Sequence, residues 1–169
     1  MDNEFRFISD ISSSINDVKK LIDTGVFNQS NPLFKPALIQ LLILARDLTY
    51  KSFKLGKTID FTDDVKVSGK VTDVTMLIKY CRDAACHIDS DNHLSIESNV
   101  LFSFNVCFGK ANIAQIGDTQ FSSEYDDDIC IFFGDQKIYL KRHILRAIRE
   151  AEAFFKQHYK DHRLSHFLS

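Results

Sequence analysis

Apolar positions recur at helical spacing in the first half of the chain. Ile8, Ile11, Ile15, Val18 and Ile22 follow one another by three or four residues, which predicts a first helix over about 8–23. Ser and Asp residues near its start are cap candidates, Gly25 ends it, and 28–32 reads as a loop. A second helix is expected from about Pro36 to Phe53, where Leu38, Leu41, Leu42, Ala45, Leu48 and Phe53 form a broad apolar face. Gly56 lies just past it, and 57–67 is a polar connection. A third helix is expected to begin near Ser68 to Lys70, with the stripe Val71, Val74, Leu77, Ile78, Cys81, Ala85 and Ile88; Asp89-Ser90-Asp91-Asn92 stops it.

The pattern then changes. Residues 99–108 (NVLFSFNVCF) are rich in aromatic and β-branched types, and 129–140 (ICIFFGDQKIYL) reads as two short strands around Gly134-Asp135. Residues 112–116 add a further strand candidate. From Lys141 onward helical spacing returns, with Ile144, Ala147, Ile148, Ala151, Phe154 and Phe155 on one side. The expectation is a mainly α fold, a single domain over 1–169. It is a four-to-five-helix bundle with a small antiparallel β insertion at about 95–140, before the last helix.

Composition narrows the function classes. A chain of 169 residues can bury a real core, and its 15 Phe suggest an aromatic one. The net charge of −2 gives no global attraction to nucleic acid, so any RNA contact needs a local basic patch. The four Cys form no CxxC pair, which favours reduced thiols over a disulfide framework. The polar, acidic start MDNEFRFISD is unlike a signal peptide, and the longest apolar run, 37–45, is too short to span a bilayer. A cytoplasmic protein with no membrane partner is expected. There is no Walker-type loop, no G-x-S-x-G and no H-E-x-x-H.

The strongest chemical signal is the helix end Arg82-Asp83-Ala84-Ala85-Cys86-His87, the chain's one R-x4-H match. Asp83 and His87 are four residues apart, so a continuous helix would let Asp83 hold one imidazole nitrogen and fix the tautomer. Arg82 offers a permanent charge and a planar donor fork suited to phosphate oxygens. A proton-transfer group beside a phosphate clamp is a sensible minimum for cleaving RNA. The 2′-hydroxyl is the nucleophile, so no metal or other cofactor is required. The bland alternative is that Arg82 and Asp83 form surface ion pairs and His87 favours the helix C terminus for dipole reasons alone.

On these residues the sequence resembles the higher-eukaryote-and-prokaryote nucleotide-binding (HEPN) superfamily. Its signature is an Arg, a polar residue, a short spacer and a His at a helix end. Arg82, Asp83 and His87 match it position by position, and Leu44-Ala45-Arg46-Asp47-Leu48 looks like part of the second helix of such bundles. The resemblance covers 1–94 and the last helix and leaves the β segment outside. It implies an HEPN-like helical bundle and a homodimer in which Arg82 and His87 of both chains face one cleft. It also implies a metal-independent endoribonuclease of toxin or antiviral-defence type, leaving a 2′,3′-cyclic phosphate. An antitoxin or a nucleotidyltransferase-type protein is an implied partner. The rival within the same resemblance is a non-catalytic dimeric module that binds a partner or regulates.

Weaker features have two readings each. Lys137, Lys141, Arg142, Arg146 and Arg149, with Tyr139 and His143 nearby, could guide an RNA backbone, or form an exposed helix face paired with Glu150 and Glu152. His158, His162 and His166, spaced by four on the expected last helix, could chelate zinc or simply be solvated. Cys81, Cys86, His87 and His93 suggest core packing of two thiols more than a metal site. Asp126-Asp127-Asp128 reads as a solvated loop before a strand.

Overall fold

The computed structural model describes residues 3–87, 89–96, 99–117 and 119–168. These divide into two compact units, 1–59 with 147–169 and 60–146. Among the described residues, no helix is long and apolar enough to cross a membrane.

In the first unit, α1 (Asn3–Asp23) and α2 (Phe34–Lys54) pack against each other. The spacing read from the sequence becomes the interface side of each helix. Ile8, Ile11, Ile15 and Val18 are buried on α1, and Leu38, Leu41, Leu42, Ala45 and Leu48 on α2. Phe53, expected on that apolar face, lies instead on the exposed side. A buried Lys51 joins the two helices, bonding Asp10 and, at 2.5 Å, Asp47, which also accepts from the Ser14 hydroxyl at 3.2 Å. Helix α4 (Arg146–His158) buries Ala147, Ile148, Ala151 and Phe155. It ends at His158, so His162 falls in a bend and His166 in a separate 3₁₀ helix, Ser165–Leu168, and neither shares a face with it.

The second unit corrects the expected fold class. The chain is mixed α and β, not a mainly helical four-to-five-helix HEPN-like bundle with a small appendage. Seven strands occur among the described residues: β1 (Leu94–Ser95), β2 (Val100–Leu101), β3 (Asn105–Phe108), β4 (Ala111–Ile116), β5 (Thr119–Ser123), β6 (Ile129–Phe133) and β7 (Gln136–Tyr139). They form three antiparallel sheets, β1-β2, β3-β6-β7 and β4-β5. The physical reason is that this region builds its own core. Phe102, Cys107, Phe121, Cys130, Phe132 and Tyr139 are buried together, with Ala114, Ile116 and Tyr125 packed against them. The residues that supply it alternate along the strands, so burial stabilises pairing on one face.

Helix α3 (Val74–Cys86) belongs to this unit and packs on β7. It starts later than its apolar stripe predicts. Ser68 pairs with Val71 in a tight turn with Gly69 at φ 55, and Asp73 takes the N-cap, its side chain accepting from the Met76 N–H at 2.9 Å. Val71 is therefore buried but not helical. Ile88, the last residue of the expected stripe, lies outside the described residues.

Candidate functional site

The C-terminal end of α3 is braced by segments far along the chain. A turn of 3₁₀ helix, Asp91–His93, folds back on it. His93, buried, donates Nε2–H to the Ala84 carbonyl at 2.7 Å, satisfying one of the acceptors that a helix end leaves open. The Asn92 amide donates to the Tyr80 carbonyl at 3.2 Å, and the Tyr80 hydroxyl donates to the Asn92 carbonyl at 2.9 Å. Burial, with Cys81 and Asp135 nearby, pushes the Tyr80 phenol up to about 12. The Gly134-Asp135 turn between β6 and β7 docks here too. Asp135 accepts from the Ser95 hydroxyl and from the Ile96 N–H at 2.9 Å.

On this braced end the Arg82–His87 residues take definite positions. His87 is the C-cap, with extended backbone (φ −122, ψ 112), and its N–H donates to the Asp83 carbonyl at 3.1 Å. That extended conformation takes the imidazole off the helical track that a regular i, i+4 pair would follow. His87 meets Asp83 through its backbone, and the expected carboxylate–imidazole bond does not form. Asp83 instead holds two cations, Lys79 Nζ on Oδ2 and Arg82 Nη1 on Oδ1, each at 2.9 Å. The Arg82 side chain is 31% exposed, and His87 is exposed with no ring hydrogen bond among the described residues. An exposed imidazole and a charged fork thus share one helix end.

A cleft of about 80 Å³ lies beside α3, lined by Lys70, Met76, Lys79, Tyr80, Asp83 and Asn92; neither Arg82 nor His87 lines it. Ligand pockets that enclose a small molecule are typically about 300 Å³ or more, so this cleft does not enclose a nucleotide.

Of the basic residues after β7, Arg142 and Arg146 are drawn into internal structure. A π-helical turn, Leu140–Leu145, leads into α4, and its cap position, Tyr139, carries no capping hydrogen bond of its own. Asp128 supplies the acceptor from across the fold. Its fully buried carboxylate accepts the N–H groups of Lys141 (2.9 Å) and Arg142 (3.1 Å) and the Arg142 guanidinium (3.0 Å). Arg142 also reaches Asp127 at 2.8 Å and lies 3.6 Å over the Tyr125 ring. Arg146 bonds Asp63 at 2.9 Å and lies 3.7 Å over Phe61. Lys141 stays exposed, 4.0 Å from Asp127, and Arg149 is exposed on α4.

Between them sits a buried histidine that the sequence reading did not single out as structural. His143 Nδ1 accepts from the Tyr139 N–H at 3.1 Å and Nε2 donates to the Asp63 carbonyl at 2.9 Å. Both contacts suit the neutral ring, and burial pushes its pKa below the ordinary value, against the pull of Asp63, Asp64 and Asp128. A second polar group was also missed. Glu124 takes Lys137 at 2.6 Å and the buried Tyr139 hydroxyl. Burial alone would raise the Glu124 carboxyl, but Lys137, Tyr139 and Ser122 bring it down to about 2.

Among the described residues no group of three or more His, Cys, Asp or Glu is placed to hold a metal ion. Cys81, Cys107 and Cys130 are buried free thiols and Cys86 is exposed. Burial pushes Cys130 up to about 12 and Cys81 well above its ordinary value, which suits core packing. The chain matches no known protein family, no curated protein and no solved structure.

Proposed function

We propose that the chain is a metal-independent endoribonuclease in which Arg82 clamps the scissile phosphate and His87 moves the proton. The resemblance to HEPN ribonucleases supplies the reaction class, as attack by the ribose 2′-hydroxyl leaving a 2′,3′-cyclic phosphate. The observation that carries the reading is the exposed His87 ring, which bonds no described residue, at the end of a helix whose preceding turn presents Arg82. Lys79 and Arg82 hold Asp83 between them, so an incoming phosphate can replace the carboxylate on Arg82 while Lys79 keeps it neutralised. As the HEPN resemblance implies, Arg82 and His87 of a second copy of the chain complete the site. Toxicity on expression, and an antitoxin or nucleotidyltransferase-type partner, belong to the same proposal.

Purified protein with EDTA should cut single-stranded RNA and leave cyclic phosphate ends. His87→Ala and Arg82→Ala should each slow cleavage about 100-fold or more, since a positioned proton carrier contributes on that order. Thermal midpoints should stay close to the parent's, because the His87 ring bonds no described residue. Cleavage by His87→Ala at the parental rate would sink the proposal.

One observation favours a second reading, a non-catalytic dimeric module that binds a partner or regulates. Asp83 engages Lys79 and Arg82 and leaves the His87 ring unoriented. That reading expects an intact dimer, partner binding that survives His87→Ala, and no RNA cleavage.

A further inference from the structure

Strands β3 and β6 set two thiols side by side. Cys107 and Cys130 are register partners in this antiparallel pair, so their side chains leave the sheet on one face. Both are free, and both belong to the aromatic cluster around Phe102 and Phe121. Two residues along, Gly109 donates its N–H to the Asp128 carbonyl at 3.0 Å. Hydrogen-bonded pairs alternate along an antiparallel ladder, which makes Cys107–Cys130 one of them, with Cα atoms about 5.5 Å apart. That is the separation a disulfide most often spans, about 5.5–6 Å. Directly opposite Cβ atoms stand about 4.5–5.5 Å apart, against about 3.8 Å in a disulfide, so closing the bond draws them together by roughly 1 Å.

The two thiols differ in access and in neighbours. Cys107 is 7% exposed and Cys130 0%. Strand β3 is paired on one side only, whereas β7, at the other edge of the sheet, lies under α3. β3 is thus the strand of this sheet that opens most readily to a reagent. The Cys107 thiol makes one weak contact, donating to the Gly109 carbonyl at 3.5 Å. Burial raises its pKa, and the Ser123 hydroxyl, buried and otherwise unpartnered among the described residues, pulls it back by favouring the thiolate. Burial pushes Cys130 up to about 12, with Lys137 and Tyr139 pulling the other way. Cys107 is therefore placed to react first and Cys130 to follow.

We infer that Cys107 and Cys130 form a redox site, closing into a reversible disulfide by exchange with a small-molecule disulfide of the glutathione type and so clamping β3 to β6. Cys107 gives its proton to solvent, and its thiolate attacks one sulfur of oxidised glutathione. The glutathione S–S bond breaks, and one glutathione leaves as a thiolate that takes up a proton. Cys130 then loses its proton and attacks the Cys107 sulfur of the mixed disulfide, and the second glutathione leaves and is protonated. Two protein thiols are oxidised by two electrons while one disulfide is reduced to two thiols. The strain of drawing the Cβ atoms together makes the protein disulfide easier to reduce, so excess thiol reopens it. None of this depends on the ribonuclease reading.

The test uses the full chain carrying Cys86→Ser, which removes the exposed competing thiol. The folded chain is incubated with excess oxidised glutathione, and the remaining thiols are then alkylated in denaturant. Peptide mass mapping should find Cys107 joined to Cys130 and Cys81 alkylated. Dithiothreitol should return both joined residues to free thiols. Amide exchange in β3 should be slower with the bond closed, and an exchange rate unchanged by the bond would overturn the clamp. In the same background Cys130→Ser should trap Cys107 as its mixed disulfide with glutathione, whereas Cys107→Ser should leave Cys130 free. The reverse pattern, in variants folded by circular dichroism, would overturn the order of attack. Free Cys107 and Cys130 at the end of the incubation would overturn the inference itself, as would a Cys81–Cys130 bond in place of theirs.

Discussion

Asp128 is the residue whose removal should be felt furthest from its own position. It lies in the sequence before β6, yet its carboxylate starts the helical run that begins at Leu140. Substitution by Ala leaves the N–H groups of Lys141 and Arg142 without that acceptor. Loss of a capping carboxylate costs about 1 kcal/mol. Loss of a buried charge-assisted bond to Arg142 adds roughly 2 kcal/mol, part of which Arg142 recovers through Asp127 at 2.8 Å. A total near 3 kcal/mol puts Asp128→Ala in the upper range for single substitutions. For a chain of this size it should lower the thermal midpoint by about 6–12 °C. Asp128→Asn keeps an acceptor and loses the charge, so it should fall between Ala and the parent. Asp127→Ala removes only the exposed partner and should leave the midpoint almost unchanged. Scanning calorimetry is the right assay, because it reads both the midpoint and the unfolding enthalpy. A midpoint for Asp128→Ala within about 2 °C of the parent would refute the claim that this carboxylate caps the run.

Further outcomes concern two glycines and a buried histidine. At Gly134 (φ 53) a Cβ would stand 2.6 Å from the Asn92 carbonyl oxygen and 2.8 Å from that of Leu94, so Gly134→Ala should cost more than about 2 kcal/mol by thermal melts. Gly25→Ala, equally left-handed at φ 66 but in open space, should cost only about 1 kcal/mol. His143 is held neutral in the folded chain, so its pKa is depressed and the unfolded chain binds more protons below about 6.5. Its stabilising effect is full above that value and fades as pH falls through the folded value. The midpoint should therefore decline from pH 7 to 5, and His143→Gln should flatten the decline. Glu124, at about 2, loses its contribution only below about pH 4.5, outside that window.

Local periodicity carried α1 and α2, because there the buried side is set by neighbours three and four residues away. The β segments around 105–108, 111–116 and 129–139 were visible in their β-branched and aromatic residues. Their weight in the fold was not, because sheet pairing and the cluster around Phe102 and Phe121 join positions distant in sequence. Strand β5, TQFSS, has one apolar residue and is a strand through its pairing with β4. The candidate residues Arg82, Asp83 and His87 were readable as a motif. The Asp83 ion pairs were open to the same reading, Lys79 standing four residues before it, but the missing Asp83–His87 bond was not, since it depends on the backbone leaving the helix at His87. Asp128 was misread as a solvated charge for a similar reason. The available signal was indirect, a helical run starting after Tyr139 with no local Ser, Thr, Asn or Asp to cap it.

The Gly134-Asp135 turn that braces α3 also has a consequence in time. Gly134 is translated 47 residues after His87. At typical elongation rates that is a lag of roughly 2–9 s, during which the segment at β1 that follows the helix end lacks the contacts of Asp135 with Ser95 and Ile96. Arg82 and His87 leave the ribosome well before the turn that helps to hold them, so the geometry of this helix end matures late in synthesis.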